Sequence, residues 1–164
     1  MDKDLLIQLN EFLGKASKAT YAGGGGRVEQ PWRKGFIELE HTDGDWYYRD
    51  SYTGFLRSWG QEVVWYNDKP FWTCLYGGGM DEKYMDDGQA EETFSFLKKV
   101  LSAGEKETHF QPRGPKDFED GEWQYHCDLD GTIEKFSGNE TISRRGEVVF
   151  THDFVGGLVI GQDK

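Results

Sequence analysis

Hydrophobic residues recur at three- and four-residue steps in two stretches of the chain. In the first stretch this spacing is followed by Leu5, Leu6, Leu9, Phe12, Leu13 and Ala16. Because an α-helix has about 3.6 residues per turn, these side chains share one face, which predicts an amphipathic helix over residues 3–18. A second helix is predicted over residues 89–102, where the apolar positions are Phe94, Leu97, Val100 and Leu101.

Alternation of apolar and polar residues marks several shorter segments that follow the helices. In the first half it predicts strands over residues 36–40, 46–52, 62–66 and 71–76. Turn-forming pairs separate the segments, at Asp43-Gly44, Thr53-Gly54 and Asn67-Asp68 and, in the second half, at Asp120-Gly121, Asp130-Gly131 and Arg145-Gly146. Each half is therefore predicted to be one helix followed by an antiparallel meander.

The second half of the sequence matches the first. Asp43-Gly44-Asp45-Trp46-Tyr47-Tyr48 aligns with Asp120-Gly121-Glu122-Trp123-Gln124-Tyr125, and a gap at Ser137 brings Gly60-Gln61-Glu62 onto Gly138-Asn139-Glu140. One helix with a one-sided meander buries too little surface to be stable alone, so the two units are expected to share a core. The predicted fold is α+β, a single domain over residues 1–164. It consists of two tandem helix-plus-antiparallel-meander repeats, about residues 3–80 and about residues 85–160, related by pseudo-twofold symmetry.

Strand alternation places four polar residues on faces that otherwise carry apolar side chains: Asp50, Glu62, Glu140 and His152. A buried carboxylate is costly unless it is paired or protonated. In one interpretation Glu62 and Glu140 are structural, because both repeats carry a glutamate at this position. In the other, the carboxylates line a small-molecule pocket with aromatic walls, which is typical of ligand sites. The sequence leaves both interpretations open.

The first repeat carries the richer set of side chains for such a pocket. Where it has Arg49-Asp50-Ser51-Tyr52, the second repeat has His126-Cys127-Asp128-Leu129. The predicted ligand-binding residues are Arg49, Asp50, Tyr52, Glu62, Trp72 and Tyr76. They indicate a non-catalytic module that binds a small molecule or a protein partner through an aromatic and carboxylate face of the first repeat. The alternative is a small enzyme with Asp50 or Glu62 as general base and Arg49 as anion anchor.

Charge and cysteine content narrow the classes of partner. The formal net charge of −11 disfavours direct binding to nucleic acid and leaves a third function open, that of an acidic interaction or inhibitor protein. No apolar run is long enough for a membrane span, so no membrane partner is expected. The two cysteines and the absence of an export signal predict a reducing, cytoplasmic location. Neither a cofactor nor a metal is expected, because no cofactor fingerprint or metal-ligand spacing occurs.

Several short motifs together resemble one family. They are Tyr48-Arg49-Asp50-Ser51-Tyr52-x-Gly54, Gly60-x-Glu62-Val63-Val64, Pro70-x-Trp72 and Tyr76-x-Gly78, flanked by Ala19-Thr20-Tyr21-Ala22-Gly23 and Phe154-x-Gly156-Gly157. In this order they are similar to the DUF5680 family of bacterial proteins. Members often follow a helix-turn-helix module of transcriptional regulators, so the resemblance implies a sensing or interaction role. Since no such module precedes Leu5 in this sequence, an effector-binding or protein-interaction module acting alone is expected.

Overall fold

Two α-helices form where the apolar spacing predicts them. The computed structural model describes residues 2–103 and 109–161. Helix α1 spans Lys3–Ala19 and helix α2 spans Asp87–Ala103, so both extend slightly beyond the predicted bounds. The side chain of Asp2 accepts a backbone hydrogen bond in the first turn of α1 and caps it. No helix in these described ranges is long and apolar enough to cross a membrane.

Eight strands form one antiparallel sheet. In chain order they are β1 (Ile37–Asp43), β2 (Trp46–Gly54), β3 (Arg57–Tyr66), β4 (Lys69–Met80), β5 (Asp117–Asp120), β6 (Trp123–Thr132), β7 (Lys135–Arg144) and β8 (Glu147–Leu158). A short 3₁₀ turn at Glu82–Tyr84 follows β4. The order across the sheet is β1-β2-β3-β4-β8-β7-β6-β5, so each half contributes four consecutive strands and the halves meet where β4 pairs with β8. The predicted α+β class is confirmed.

The strands are longer than the alternation predicts. β3 begins at Arg57 rather than at residue 62, because Gly60 interrupts the apolar pattern without interrupting the strand pairing. The ring of Tyr76 packs across Gly60, in the space that a Cβ would occupy. Gly54 was predicted as part of a turn but stays paired with Ser58 at a φ of +97°, and the chain reverses after it.

The same irregularity occurs on both sides of the β4–β8 pairing. The β3–β4 pairing shifts register after Val64, and the β7–β8 pairing shifts register after Ile142. These two residues align with each other when the halves of the sequence are compared. At the centre of the sheet, Tyr76 of β4 pairs with Phe154 of β8, which is its counterpart in the same alignment.

Both helices pack on one face of the sheet, and large rings fill the space between the two layers. Phe12 of α1 stacks on Trp46, and Phe94 of α2 meets Phe150 edge to face. Trp72 and Phe150 have no exposed surface. Aromatic burial therefore contributes much of the hydrophobic stabilisation of the fold.

Candidate functional site

A cavity of about 470 Å³ lies between the helices and the central strands. Its polar lining includes Asp50, Glu62, Arg113 and His152, so both halves of the chain contribute. Its apolar and aromatic walls include Leu13, Tyr21, Tyr48, Trp72, Tyr76, Phe94, Leu97, Leu101, Phe110 and Phe150. A cavity of this size with few polar groups is typical of a small-molecule site.

Asp50 and Glu62 form a pair of neighbouring carboxyl groups in the cavity wall. They stand opposite each other in the β2–β3 pairing, on the same face of the sheet. Asp50 is 4% exposed, and the Tyr76 hydroxyl donates a hydrogen bond of 2.7 Å to its Oδ1. Burial raises the pKa of Asp50 to about 8, and the negative charge of Glu62 is the second cause. Asp50 is therefore mainly protonated at neutral pH.

Arg113 brings a positive charge to the cavity from the loop between α2 and β5. Its Nε donates a 2.8 Å hydrogen bond to Oε1 of Glu140, and its Nη1 lies 3.8 Å from Oε1 of Glu62. The guanidinium carbon also lies 4.8 Å from the centre of the Tyr76 ring. The loop can approach the sheet this closely because Gly114 has no side chain, whose Cβ would come within 2.7 Å of α2.

Glu140 is fully buried and holds Arg113 in place. Nε of Arg113 donates a 2.8 Å hydrogen bond to its Oε1, and Nη2 lies 2.8 Å from the same oxygen. The Tyr125 hydroxyl donates to its Oε2 at 2.8 Å. Burial by itself would raise the pKa of Glu140, but the charge of Arg113 and the adjacent His152 lower it to about 2. Glu140 therefore stays ionised, which agrees with the structural interpretation of this residue.

His152 lies between Glu140 and Ser58. Its Nδ1 is 3.3 Å from Oε1 of Glu140, at an angle outside that of a well-formed hydrogen bond, and its Nε2 is 3.3 Å from Oγ of Ser58. Burial lowers the pKa of His152, so the ring is neutral at pH 7. Ser58 and His152 both line the cavity.

Five of the six predicted ligand-binding residues line the cavity: Asp50, Tyr52, Glu62, Trp72 and Tyr76. Arg49 does not, because it lies on the opposite face of β2, as adjacent residues of a strand do. There its Nε donates a 2.7 Å hydrogen bond to Oε2 of Glu38, and the Trp32 ring covers the guanidinium at 3.6 Å. The cation beside the carboxyl pair is Arg113, so Arg49 cannot anchor an anion in this cavity.

Ser58 and Arg113 are among the polar residues of the cavity that the sequence pattern did not predict. Ser58 precedes the predicted strand, and Arg113 lies in a Pro- and Gly-rich loop that has no periodicity. One signal was available for Arg113, because a buried Glu140 requires a cationic partner. The binding face was predicted in the first repeat, and Arg113 and His152 of the second repeat also line the cavity.

The two cysteines are buried free thiols, and burial is the main reason that the pKa of each is raised. They are therefore protonated at neutral pH and are poor nucleophiles. Within residues 2–103 and 109–161, no group of three or more His, Cys, Asp or Glu side chains is arranged to hold a metal ion. The cavity offers hydrogen-bonding and ionic contacts to an organic ligand.

Comparison with known proteins identifies one family. The profile described as "Domain of unknown function (DUF5680)" matches residues 50–159, which run from β2 to the end of β8 and include Asp50, Arg113 and His152. Neither the curated proteins nor the solved structures gave a match to this chain. Because the matched region covers more than half of the sequence, the protein belongs to the DUF5680 family.

Proposed function

We propose that the protein binds a small organic molecule in this cavity, one with an apolar body and a positively charged or hydrogen-bond-donating head. The observation that carries the proposal is the Asp50–Glu62 pair within an otherwise aromatic cavity. Two adjacent carboxyl groups supply several acceptor atoms and few donors. A ligand that donates hydrogen bonds to these acceptors therefore satisfies them better than water does in the apolar cavity.

The charges around the cavity favour a cationic head. The carboxyl groups of Glu62 and Glu91 line the cavity together with the cations of Lys98 and Arg113, whereas protonated Asp50 adds no charge at neutral pH. The charge of Arg113 is already balanced by Glu140, which it contacts at 2.8 Å. In addition, Oε1 of Gln111 is buried at the cavity and accepts no hydrogen bond from the described residues. It provides a further acceptor for a donor group of the ligand.

The aromatic walls suit the same class of ligand. Tyr48, Trp72 and Tyr76 surround the carboxyl pair, and the faces of aromatic rings attract cations. The cavity already contains one such contact, between the guanidinium of Arg113 and the Tyr76 ring. A protonated amine on an aromatic or aliphatic body would combine both kinds of interaction.

Three ligands of similar size test the proposal: 2-phenylethylamine, 2-phenylethanol and 3-phenylpropionate. Tryptophan fluorescence detects binding, because Trp72 lines the cavity, and calorimetry gives the affinity. The amine should bind about tenfold more tightly than the alcohol, the gain expected for one hydrogen bond to a charged group. The carboxylate should bind most weakly, since it would face Asp50 and Glu62.

Two variants of the cavity and one control variant locate the ligand. Glu62→Gln should reduce the affinity for the amine to that for the alcohol, whereas Glu134→Gln removes an exposed carboxylate and should change neither. Adding Trp72→Leu to Glu62→Gln should remove binding of both compounds. If the wild type and the double variant bind 2-phenylethylamine equally, the ligand lies elsewhere and the proposal is wrong.

The other two functions predicted from the sequence require different structural features. An enzyme with Asp50 or Glu62 as general base would now rely on Arg113 rather than on Arg49 as its cation. An acidic inhibitor protein would act through its exposed carboxylates and would need no cavity, so the cavity favours ligand binding over it. A cytoplasmic location without a nucleic-acid partner remains a prediction, supported by the free thiols and the net charge of −11.

We also infer that the two halves derive from one duplicated unit and are related by a pseudo-twofold axis between Tyr76 and Phe154. The symmetric strand order supports this, as do the register shifts after Val64 and Ile142. The cavity would then combine two formerly equivalent units that have diverged, with Asp50 in one and Cys127 at the aligned position of the other.

A further inference from the structure

Ser58, His152 and Glu140 form one row across the sheet. Ser58 pairs with Gly78 of β4, Gly78 pairs with His152 of β8, and His152 pairs with Glu140 of β7. Because Gly78 has no side chain, the Ser58 hydroxyl reaches across β4 to within 3.3 Å of Nε2 of His152. Gly78 has a φ of +140°, and a Cβ there would lie 3.2 Å from Cδ2 of the imidazole. Glycine at this position therefore permits the contact.

The protonation states of the row suit proton transfer from the serine. Burial lowers the pKa of His152, so the neutral imidazole has a free lone pair at pH 7. Glu140 is ionised, and its Oε1 lies 3.3 Å from Nδ1 of His152. Nδ1 makes no well-formed hydrogen bond, but the nearby negative charge of Glu140 still favours the tautomer with the proton on Nδ1. That tautomer leaves Nε2 as the acceptor that faces Ser58. The order hydroxyl, imidazole, carboxylate is that of serine hydrolases.

We propose that Ser58 is a nucleophile for acyl transfer, with His152 as its general base and Glu140 as a positioning residue, and that its substrates are esters small enough to enter the cavity. The cavity supplies access, because Ser58 and His152 both line it. This activity goes beyond ligand binding and does not depend on the charge of the ligand's head.

The reaction needs only the ester and water. Oγ of Ser58 adds to the acyl carbon while Nε2 of His152 takes the hydroxyl proton. The bond from the acyl carbon to the alkoxy oxygen then breaks, and the leaving oxygen takes the proton from Nε2. Water attacks the acyl–serine ester in the same way, giving its proton to Nε2, and Oγ recovers a proton as the carboxylic acid leaves. The net change is hydrolysis of an ester to an acid and an alcohol.

A fluorophosphonate probe tests the nucleophile directly, because its fluoride leaves as the serine oxygen bonds to phosphorus. Mass spectrometry of the full chain and of its peptides should show one adduct, at Ser58. Ser58→Ala should abolish the adduct, whereas Ser137→Ala, at an exposed serine, should retain it. His152→Gln should slow labelling, and release of 4-nitrophenol from 4-nitrophenyl acetate, by about a hundredfold. His126→Gln removes a far more exposed histidine and should leave both rates unchanged.

His152 is buried, so His152→Gln could slow the reaction by disturbing the fold. A substitution at Ser58 separates the two effects. Ser58→Cys leaves the imidazole in place, and its thiol should react with iodoacetamide faster than the thiol of Ser137→Cys. For Glu140 the readout is the dependence of labelling rate on pH. Three charged groups act on the pKa of His152: Glu140 and Asp153 raise it, and Arg113 lowers it. Glu140→Gln removes one of the two groups that raise the pKa, so the midpoint of that profile should move to lower pH. The ring of Tyr76 also lies beside the imidazole, and Glu140→Gln leaves this residue in place.

Two results would overturn the proposal. One is the absence of an adduct at Ser58 in a protein that binds 2-phenylethylamine in the cavity, which would leave the binding proposal intact. The other is equal labelling in the wild type and His152→Gln. An unchanged midpoint in Glu140→Gln would remove Glu140 from the mechanism. Absence of both the adduct and any cavity ligand would refute the two proposals together.

Discussion

Asp50 retains its proton at neutral pH because the fold removes its carboxyl group from water and sets it opposite Glu62. Its pKa rises from the ordinary 3.8 to about 8, so between these values the folded state binds more protons than the unfolded state. The stability that this proton confers is fully present below about pH 4 and is lost as the pH rises to about 8. Asp50 therefore links the stability of the protein to pH.

Asp50→Asn should remove this dependence, because the amide can accept the Tyr76 hydrogen bond but cannot ionise. The free energy of unfolding of the variant should increase relative to that of the wild type between pH 5 and pH 8. Urea denaturation at several pH values measures the difference. The exposed Asp130→Asn serves as control and should show no such trend. A constant difference for Asp50→Asn would mean that Asp50 ionises alike in the folded and unfolded states.

Arg113 is the residue whose removal should cost most. Arg113→Met would leave Glu140 buried without its cation, at a cost of about 3–5 kcal/mol in the free energy of unfolding. Arg145→Met, at an exposed arginine, should cost less than about 1 kcal/mol. Adding Glu140→Gln to Arg113→Met should restore part of the loss, because the uncompensated charge is then gone. If Arg113→Met and Arg145→Met lower the free energy of unfolding equally, Glu140 does not depend on Arg113.

Sequence reasoning located the polar residues that lie within well-formed strands. Alternation alone predicted that Asp50, Glu140 and His152 are buried, and each is at most 4% exposed. It could not find Arg113, whose position depends on a loop packing over the sheet through contacts distant in sequence. It also grouped Arg49 with the carboxylates, although adjacent residues of a strand face opposite sides, and Arg49 contacts Glu38 instead.

At the scale of elements, the two halves should superpose. Residues 43–80 are expected to overlie residues 120–158 with the same strand order and one extra residue near Ser137. The strand order and the matching register shifts are consistent with this expectation. A crystal structure tests it through a least-squares fit of the paired Cα atoms. If the fit requires a different strand pairing, or if the Cα atoms fail to overlie in the strands as well as in the turns, the duplication is refuted.

The ends of the elements were less predictable than their existence. Helix positions followed from the apolar spacing, whereas β3 extends to Arg57 and β4 to Met80, beyond the alternating segments. Both extensions pass through glycines, which carry no apolar signal. Gly60 and Gly78 remain in strands because neighbouring strands supply hydrogen bonds and neighbouring rings or backbones fill the space beside them. That information is tertiary and is absent from the local pattern.

At the scale of the whole molecule, ligand binding and folding stability should be coupled. The cavity exists only when β2, β3, β8 and the Arg113 loop are assembled, so a ligand binds the folded state alone. At a concentration of 100 times its Kd, 2-phenylethylamine should add about 2.7 kcal/mol to the free energy of unfolding. Thermal denaturation should show a rise in Tm that is smaller in Glu62→Gln at the same concentration. An unchanged Tm at saturating ligand would contradict binding to the folded cavity.

The pairing of β4 with β8 also gives each half of the sheet a partner strand within the same chain. Nine residue pairs close this junction, from Trp72 with Leu158 to Met80 with Phe150. A half expressed alone would present that strand as an open edge with unpaired backbone donors and acceptors, and would be expected to pair with a second copy of itself. Joining the halves in one chain provides each edge with its partner at high effective concentration. The linked chain therefore closes this strand edge within itself, and its two different halves line one asymmetric cavity.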